Sequence, residues 1–215
     1  MNSISFRQVL PQVFANGASV DGSDIWQQDI TFERGHHYLV EADSGKGKST
    51  FCSYILGYRH DYAGAILFDG KDARSYHIND WCQLRQRHVS CLFQELRLFP
   101  ELTAYENVEI KNKLTQHRTR QQIEGWFELL GIADKLQSPV GRMSFGQQQR
   151  VALMRALAQP FDFLLADEPI SHLDDGNASM MASLVKQEAE AQGAAIIITS
   201  IGKRLPMNYE TILKL

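Results

Sequence analysis

The sequence predicts an α/β domain with a mostly parallel sheet and an added helical subdomain. Short apolar runs alternate with amphipathic helical patterns in both outer parts of the chain. Such alternation is typical of parallel sheets covered by crossover helices. Between about residues 95 and 160 the pattern changes to helices without strands. We therefore expect one domain over 1–215, with a core formed by 1–94 and 161–215 and a subdomain at 95–160.

The expected strands are short apolar runs bounded by polar or turn residues. In chain order they are His37–Glu41, Val89–Phe93, Phe163–Ala166, Ala195–Thr199 and Thr211–Leu215. Helices are expected over Lys48–Leu56 and Asp174–Gln192. The second helix has an apolar stripe that would cover one face of the sheet, formed by Ala178, Met181, Ala182, Val185 and Ala189.

The subdomain is expected to contain amphipathic helices. Apolar residues recur with helical spacing on a helix that ends at Gly131, at Ile123, Trp126, Phe127 and Leu130. A further helix is expected from Ser144 to about Ala158. Near the start of the chain, Asn16–Ser23 is rich in Gly, Ser and Asp and is expected to be a surface loop.

Composition excludes several classes of protein. The 215 residues carry a net charge of −3 with a pI near 6.2, which is not the basic balance of a nucleic-acid-binding domain. The three cysteines have no metal-ligand spacing and are expected to be reduced. The longest aliphatic stretch, Ala194–Ile198, is far shorter than the ~20 residues of a membrane helix. With no signal peptide at the start, we expect a cytoplasmic protein.

A phosphate-binding loop is predicted where a strand is followed by ADSGKGKST and a helix. In such a Walker A loop, backbone N–H groups and the helix N-terminus hold phosphate oxygens. Lys48 would contact the β- and γ-phosphates, and Ser49 would give a hydroxyl to Mg²⁺. Gly45 and Gly47 would allow positive φ and close backbone approach. The predicted nucleotide-binding residues of the loop are Ala42, Asp43, Ser44, Gly45, Lys46, Gly47, Lys48, Ser49 and Thr50.

Two positions of this loop need comment. Ala42 stands where the pattern normally has glycine, so we expect a negative φ there. Lys46 adds a second cation, which would either strengthen triphosphate binding or be a solvated side chain. Because it carries this loop, the core is expected to have the fold of a P-loop NTPase.

A carboxylate pair is expected beside this loop. Within FLLADEP an apolar strand ends in Asp167 and Glu168, so both groups are expected to emerge at the carboxyl edge of the sheet. Asp167 would hold Mg²⁺ through water, and Glu168 would orient or deprotonate the attacking water. Gln94 ends another strand and would complete the Mg²⁺ and water shell, unless it is simply a surface residue.

A second anion site is predicted at the helix that begins after Ser144. Ser-x-x-Gln over Ser144–Gln147 is a capping-box pattern, and a helix cap by itself would explain the presence of Ser144 and Gln147. The following cluster Gln147–Arg150 opens a helix whose hydroxyl and amides could bind an anion without a lysine.

These motifs resemble those of ABC ATPases. The phosphate loop, the strand-ending glutamine, SFGQQQR, LLADEP and ISHLD occur in the order and spacing of that family and cover essentially the whole chain. The resemblance implies ATP and Mg²⁺ as ligands and a head-to-tail dimer with two ATP molecules at the interface, most simply a homodimer. It implies that Asp174 lies at the dimer seam, and that the partner's nucleotide is contacted by the signature residues Ser144, Phe145, Gly146 and Gln147.

Two departures from the family pattern predict slow hydrolysis with ATP binding preserved. Phe145 replaces the first glycine of the usual Ser-Gly-Gly-Gln. Ser200 stands where the family has a histidine that contacts the γ-phosphate and water, and a serine has no cationic form. His172 is the nearest histidine in sequence and is expected at the interface or in solvent.

The remaining expectations concern the base and the membrane. Phe14 is the candidate platform for adenine, although a place in the core explains it equally well. Leu98–Val108 resembles the segment that receives a short helix of an integral membrane subunit, and ordinary subdomain packing explains the same residues. The chain is similar to lipoprotein-releasing, macrolide-exporting and cell-division cassettes. We expect a transport ATPase subunit on the inner face of the membrane; the alternative is an ATP-binding switch with little hydrolysis.

Overall fold

The computed structural model describes residues 1–15, 20, 22–43, 45–170 and 173–215. Its strands, in chain order, are β1 (Ser3–Pro11), β2 (Asp29–Glu33), β3 (His37–Glu41), β4 (Tyr62–Phe68), β5 (Lys71–Asp72), β6 (Val89–Leu92), β7 (Phe163–Asp167), β8 (Ala195–Ser200) and β9 (Thr211–Lys214). Its helices are α1 (Lys48–Ile55), α2 (Ile78–Gln83), α3 (Ala104–Asn112), α4 (Arg120–Leu129), α5 (Phe145–Leu157) and α6 (Asp175–Gln192). All five predicted strands are therefore present.

A five-stranded parallel sheet forms the centre of the fold, in the order β6-β7-β8-β3-β9. Each neighbouring pair is parallel, so the carboxyl ends of the strands meet at one edge. Both β7 and β8 are buried along their whole length, as expected for strands covered on both faces. The sheet thus brings Glu41, Asp167 and Ser200 to a common edge, where the phosphate loop also begins.

A second, four-stranded antiparallel sheet was not predicted. Its order is β2-β1-β4-β5. Ile4 and Phe6 of β1 are fully buried, and Phe6 stacks on Phe51 of α1 with ring centroids 5.3 Å apart. Phe51 is itself fully buried in a cluster that also contains Val40 of β3. The aromatic contacts therefore join α1, which follows the phosphate loop, to both sheets.

Helices α3, α4 and α5 pack together in the part of the chain expected to be helical. The predicted apolar face of α4 is buried, and Gly131 follows the helix with φ of +65°. Arg118, in the loop before α4, forms an ion pair with Glu188 of α6, and the Trp126 indole N–H donates to Glu188 at 3.2 Å. These contacts fasten the helical segment to α6. The division of the core and subdomain near residues 95 and 160 stays a prediction.

Helix α6 follows the sequence expectation closely. Asp174 is its N-cap and accepts from the Asn177 N–H at 2.9 Å, and Gly193 ends it in the left-handed conformation. The predicted apolar stripe is buried at every position, at Ala178, Met181, Ala182, Val185 and Ala189. In the described parts of the chain, no helix combines the length and apolar character required to cross a membrane.

Candidate functional site

The loop between β3 and α1 has the conformation expected of a phosphate-binding loop. Gly45 and Gly47 have φ of +81° and +103°, values that favour glycine. Gly47 is the N-cap of α1 and no side chain caps the helix, so the first N–H groups of α1 are available to an anion. Ala42 does not have a positive φ, as predicted. Ser44 lies outside the described residues.

The Lys48 ammonium is already held at the loop. The side chain is 5% exposed, and its Nζ donates to the carbonyl oxygens of Ala42 at 2.9 Å and Asp43 at 3.0 Å. It also lies 3.6 Å from Glu168 Oε1. The ammonium can therefore bind phosphate oxygens by exchanging these partners. In contrast, the neighbouring Lys46 is exposed, which fits the solvated alternative.

Asp167 faces Ser49 across the edge of the sheet. The Ser49 hydroxyl donates to Asp167 Oδ2 at 3.2 Å, and the buried Thr199 hydroxyl donates to Oδ1. Asp167 is only 6% exposed, so these two hydroxyl donors replace much of the water that a free carboxylate would bind. A hydroxyl and a carboxylate oxygen in contact are the hard oxygen donors that Mg²⁺ prefers. The donor set therefore fits the expected metal.

Glu168 lies between the lysine and the glutamine. Gln94 Nε2 donates a hydrogen bond to Glu168 Oε2 at 3.3 Å. The other oxygen of the same carboxylate, Oε1, faces Lys48. The Glu168 backbone has φ of +50°, a left-handed conformation that costs roughly 1–2 kcal/mol for a residue with a Cβ. Such strain is concentrated at functional sites, where the surrounding structure imposes it. The structure therefore brings together four predicted residues, Lys48, Gln94, Asp167 and Glu168.

A cavity of about 270 Å³ opens among these side chains. The residues that line it are Gly45, Gly47, Lys48, Ser49, Thr50, Gln94, Glu168 and Ile201. All of them except Ile201 were predicted from the sequence. Ile201 is the addition, and it is half exposed. Thr50 also accepts a hydrogen bond from Arg59 at 3.2 Å. The cavity thus has a cationic and polar wall, closed on one side by an aliphatic side chain.

The structure corrects the interpretation of Ser200. Its side chain is 2% exposed, and its hydroxyl donates to the Lys203 carbonyl oxygen in the turn that follows β8. The hydroxyl is therefore used within the turn and does not face the cavity. Ile201 occupies the cavity wall instead and can neither donate a hydrogen bond nor carry a charge. Neither side chain therefore supplies a hydrogen-bond donor or a charge to the cavity.

Phe14 lies next to the phosphate loop. It ends a short helical turn at Gln12–Phe14 and is partly buried, with its ring centroid 6.4 Å from that of Trp26. A Cβ on Gly47 would lie 3.1 Å from the Phe14 ring, which is a tight contact, and the positive φ of Gly47 itself favours glycine. The ring is thus placed beside the start of α1, and its role as an adenine platform stays a prediction.

The second predicted anion site has the expected helix cap. Ser144 is the N-cap of α5: its hydroxyl accepts from the Gln147 N–H at 3.4 Å, and the Gln147 side chain accepts from the Ser144 N–H at 3.0 Å. Phe145 is 45% exposed beside it. Ser144 does not line the cavity of its own chain. The two sites are thus separate on one chain, although both lie at helix N-termini.

A polar network connects this helix to α6. Arg150 donates to the Gly146 carbonyl oxygen at 3.2 Å and to Asn177 Oδ1 at 2.8 Å, and Asn177 donates in turn to Asp174. The hydrogen bonds from Asn177 lower the pKa of Asp174. Leu173 packs so close to Gly146 that a Cβ on Gly146 would lie 3.1 Å from it. The segment predicted at the dimer seam is therefore fixed to α5. His172 lies outside the described residues.

Thr199 is the functional residue that the sequence interpretation missed. It precedes Ser200 in β8 and pairs in register with Asp167 of the neighbouring strand. Because Thr199 and Asp167 are 32 residues apart in sequence, it is the parallel register of β7 and β8 that brings hydroxyl and carboxylate together. Its signal in the sequence was a polar residue at the end of an otherwise aliphatic strand.

The fold and these sites together define a nucleotide-binding cassette. The sequence model of the ABC transporter family matches residues 27–171, and the chain belongs to that family. It is an ATP-binding cassette of the ABC transporter type, a class of ATPases. The recognition of the family, the fold class and the ATP ligand from the sequence is thereby confirmed.

Named relatives are consistent with this assignment. The chain is 31% identical over 172 residues to the ABC transporter ATP-binding protein YtrE of Bacillus subtilis (strain 168), covering 79% of this chain and 74% of YtrE. It is 33% identical over 175 residues to the macrolide export ATP-binding/permease protein MacB of Shewanella sp. (strain W3-18-1). That match covers 80% of this chain but only 27% of MacB. The expected similarity to macrolide-exporting cassettes is therefore present.

A solved structure has the same fold. The dimeric structure of MJ0796, a bacterial ABC transporter cassette, matches with a TM-score of 0.76 and 23% sequence identity. The match covers 91% of this chain and 87% of that one. At this identity the likeness concerns the fold.

Proposed function

We propose that the chain binds Mg·ATP at Lys48 and hydrolyses it slowly within a head-to-tail dimer, driving a separate membrane subunit. The observation that carries the proposal is the convergence of Lys48, Ser49, Asp167, Glu168 and Gln94 at one edge of the sheet. The phosphate loop supplies N–H donors and an ammonium for the triphosphate. The carboxylates supply the metal and water contacts that phosphoryl transfer requires.

Each polar group at the cavity has a proposed role. Ser49 and Gln94 would hold the metal, with Asp167 acting through water, and Mg²⁺ when bound would supply positive charge against the phosphate oxygens. Glu168 orients the attacking water and accepts its proton, since its carboxylate is the one that faces both Lys48 and Gln94. Phe14 supplies the surface on which adenine stacks.

A second cassette completes each site. Ser144 and Gln147 lie outside the cavity of their own chain, so their anion site serves the nucleotide of a partner. The dimeric arrangement of MJ0796 supports this, as does the fixed connection between Gly146 and the N-terminus of α6. We propose a homodimer in which Ser144, Phe145, Gly146 and Gln147 cover the partner's triphosphate. Phe145 presents a large ring in this contact and makes closure less favourable.

Slow turnover follows from the end of β8. The Ser200 hydroxyl is engaged by Lys203, and Ile201 supplies an aliphatic wall where charge develops on the γ-phosphate. Stabilisation of that charge by a positioned donor is commonly the largest single contribution to catalysis. Without such a donor at these positions, the reaction relies on Lys48, the metal and the partner's signature helix.

The proposed partner is an integral membrane subunit, and the proposed location is the cytoplasmic face of the membrane. The name of MacB joins ATP-binding and permease parts in one protein, whereas YtrE is named as an ATP-binding protein. We propose that the groove beside Phe99 and α3 receives a short helix of this subunit. The neighbouring Ala104 and Val108 are fully buried in the core, whereas Phe99 is a large apolar side chain of the predicted segment that is exposed.

The test is ATP binding and turnover by the purified chain, with and without membranes that contain its partner. Glu168→Gln should keep ATP affinity and lower turnover at least about 100-fold, within the range known for removal of a catalytic base. Glu190→Gln is the matched control, because Glu190 is an exposed carboxylate on α6 paired with Lys186. ATP binding with no turnover in either setting would establish the alternative, a nucleotide-operated switch. Equal turnover in the Glu168→Gln variant and wild type would contradict the proposed site.

A further inference from the structure

The loop that follows α1 brings a guanidinium back to the first turn of the same helix. Arg59 lies in this loop, and its Nη1 donates a hydrogen bond to the Thr50 hydroxyl oxygen at 3.2 Å. Thr50 lines the nucleotide cavity, whereas Arg59 is not among the residues that line it. Arg59 therefore contacts a cavity residue from outside the cavity.

The direction of this hydrogen bond determines what the Thr50 hydroxyl can still do. A guanidinium donates hydrogen bonds and has no acceptor, so it occupies a lone pair of the hydroxyl oxygen. The hydroxyl has one proton, and no group in the described parts of the chain accepts it. Ser53 of the same helix shows the usual alternative, because its hydroxyl donates to the Ser49 carbonyl oxygen at 2.6 Å. The Thr50 proton is thus available to an acceptor in the cavity.

Arg59 is held in place by its neighbour Asp61. Its Nε donates to Asp61 Oδ1 at 2.9 Å and its Nη2 donates to Oδ2, the two-point geometry typical of arginine–carboxylate pairs. These hydrogen bonds lower the pKa of Asp61. The Asp61 carbonyl oxygen accepts from the hydroxyl of Tyr54, a buried residue of α1, at 2.9 Å. With two of its nitrogens on Asp61, the guanidinium presents the third, Nη1, to Thr50.

Charge pairing restricts Arg59 to a local effect on the cavity. The Arg59 and Asp61 side chains are 35% and 34% exposed, and their charges cancel. An ion pair with this exposure contributes little by itself and adds little positive potential to the cavity. What Arg59 can still supply is the orientation of one hydroxyl group.

We propose that Arg59 is a positioning residue for nucleotide binding: by occupying the Thr50 hydroxyl oxygen, it directs the hydroxyl proton to a phosphate oxygen of the nucleotide. The inference rests on the proposed function and adds to it a residue outside the cavity. A hydroxyl that rotates freely can also turn its lone pairs towards the anion, and the hydrogen bond from Arg59 removes that orientation. Because the bound nucleotide gains this contact before and during the reaction, Arg59 affects KM and leaves kcat unchanged.

The first measurement is binding of the ATP analogue AMP-PNP with Mg²⁺ to the whole chain by calorimetric titration. Arg59→Met removes the donor and should raise the Kd about fivefold, the effect of one hydrogen bond. Arg59→Gln, which has a shorter side chain, is a second variant and should give the same loss. Arg74→Met is the matched control, because Arg74 also lies over a tyrosine ring and donates to the Tyr62 carbonyl oxygen at 2.7 Å. Tyr62 does not line the cavity, so this Kd should stay within about twofold of the wild-type value.

A double-mutant cycle distinguishes positioning from a merely structural role. Thr50→Val removes the hydroxyl and should raise the Kd about fivefold. Adding Arg59→Met to Thr50→Val should change the Kd by less than about twofold, because both side chains act through one hydrogen bond. Independent effects would instead multiply to about 25-fold. Thr50→Ser keeps the hydroxyl and should respond to Arg59→Met as the wild type does.

The outcomes separate this inference from the proposed function. If Arg59→Met binds AMP-PNP as tightly as the wild type, or if the two losses in the cycle multiply, the inference is overturned while the proposed site around Lys48 stands. A fall in kcat with unchanged KM in Arg59→Met also overturns it. If the wild-type chain does not bind AMP-PNP, the proposed function fails and the inference fails with it.

Discussion

Thr199→Val isolates the hydrogen bond that holds the metal-binding carboxylate. Thr199 is fully buried, and its hydroxyl donates to one oxygen of Asp167, while Ser49 donates to the other at 3.2 Å. Valine has nearly the same shape but no donor, so the Asp167 oxygen loses its partner while the carboxylate stays buried. A hydrogen bond to a charged group contributes about 1.5–3 kcal/mol, and we take about 2 kcal/mol as the expected loss. For a chain of this length that corresponds to a fall in Tm of roughly 4–8 °C.

The same variant should weaken the binding of Mg²⁺ that accompanies ATP binding. Residues that orient a metal ligand typically contribute 10–100-fold to affinity, so the Mg²⁺ concentration for half-maximal ATP binding should rise about tenfold. Thr199→Ser is the control: it loses a methyl group and about 1 kcal/mol of stability, but it keeps the hydroxyl and the metal dependence. Circular dichroism gives the Tm and calorimetric titration gives the binding. Wild-type stability and metal dependence in Thr199→Val would refute this assignment of roles.

Two further substitutions test other parts of the account. Ser200→Ala should lower the free energy of unfolding by about 1 kcal/mol, because the hydrogen bond to the Lys203 carbonyl oxygen is lost. The rate of ATP turnover should stay within about twofold of the wild-type rate. A large fall in kcat would mean that the hydroxyl does reach the nucleotide. Glu188→Gln should lower that free energy by about 3 kcal/mol, measured by urea unfolding, because Arg118 becomes a buried charge without a carboxylate. Glu190→Gln, on the exposed face of α6, should change it by less than about 0.5 kcal/mol, and equal effects of the two substitutions would contradict the argument.

The parallel sheet and α6 were predictable because their signals are local. Each buried strand is an uninterrupted apolar run, and α6 begins at the N-cap Asp174 and ends at Gly193. The antiparallel sheet was missed although Ile4 and Phe6 alternate with polar residues. That short alternation is broken by a bulge at Gln8, which has positive φ.

The site was predictable where residue type and spacing determine the geometry. The loop around Lys48 lies between a strand and a helix that follow each other directly in the sequence. The Asp167–Glu168 pair directly follows the apolar residues of its own strand. The direction of the Ser200 hydroxyl was not predictable, because it depends on the turn that brings the Lys203 carbonyl oxygen within reach. Nor was the Arg118–Glu188 pair, whose members are 70 residues apart.

The central claim is that ATP binds with its phosphates at Lys48 and its metal between Ser49 and Asp167. A crystal structure of the Glu168→Gln chain grown with ATP and Mg²⁺ tests it most directly, since this variant binds without turnover. The account predicts the triphosphate along the loop 42–50, the Lys48 ammonium on its β- and γ-phosphates, and Ser144 of a second copy against the γ-phosphate. Nucleotide bound elsewhere, or a loop without phosphate at saturating ATP, would contradict it.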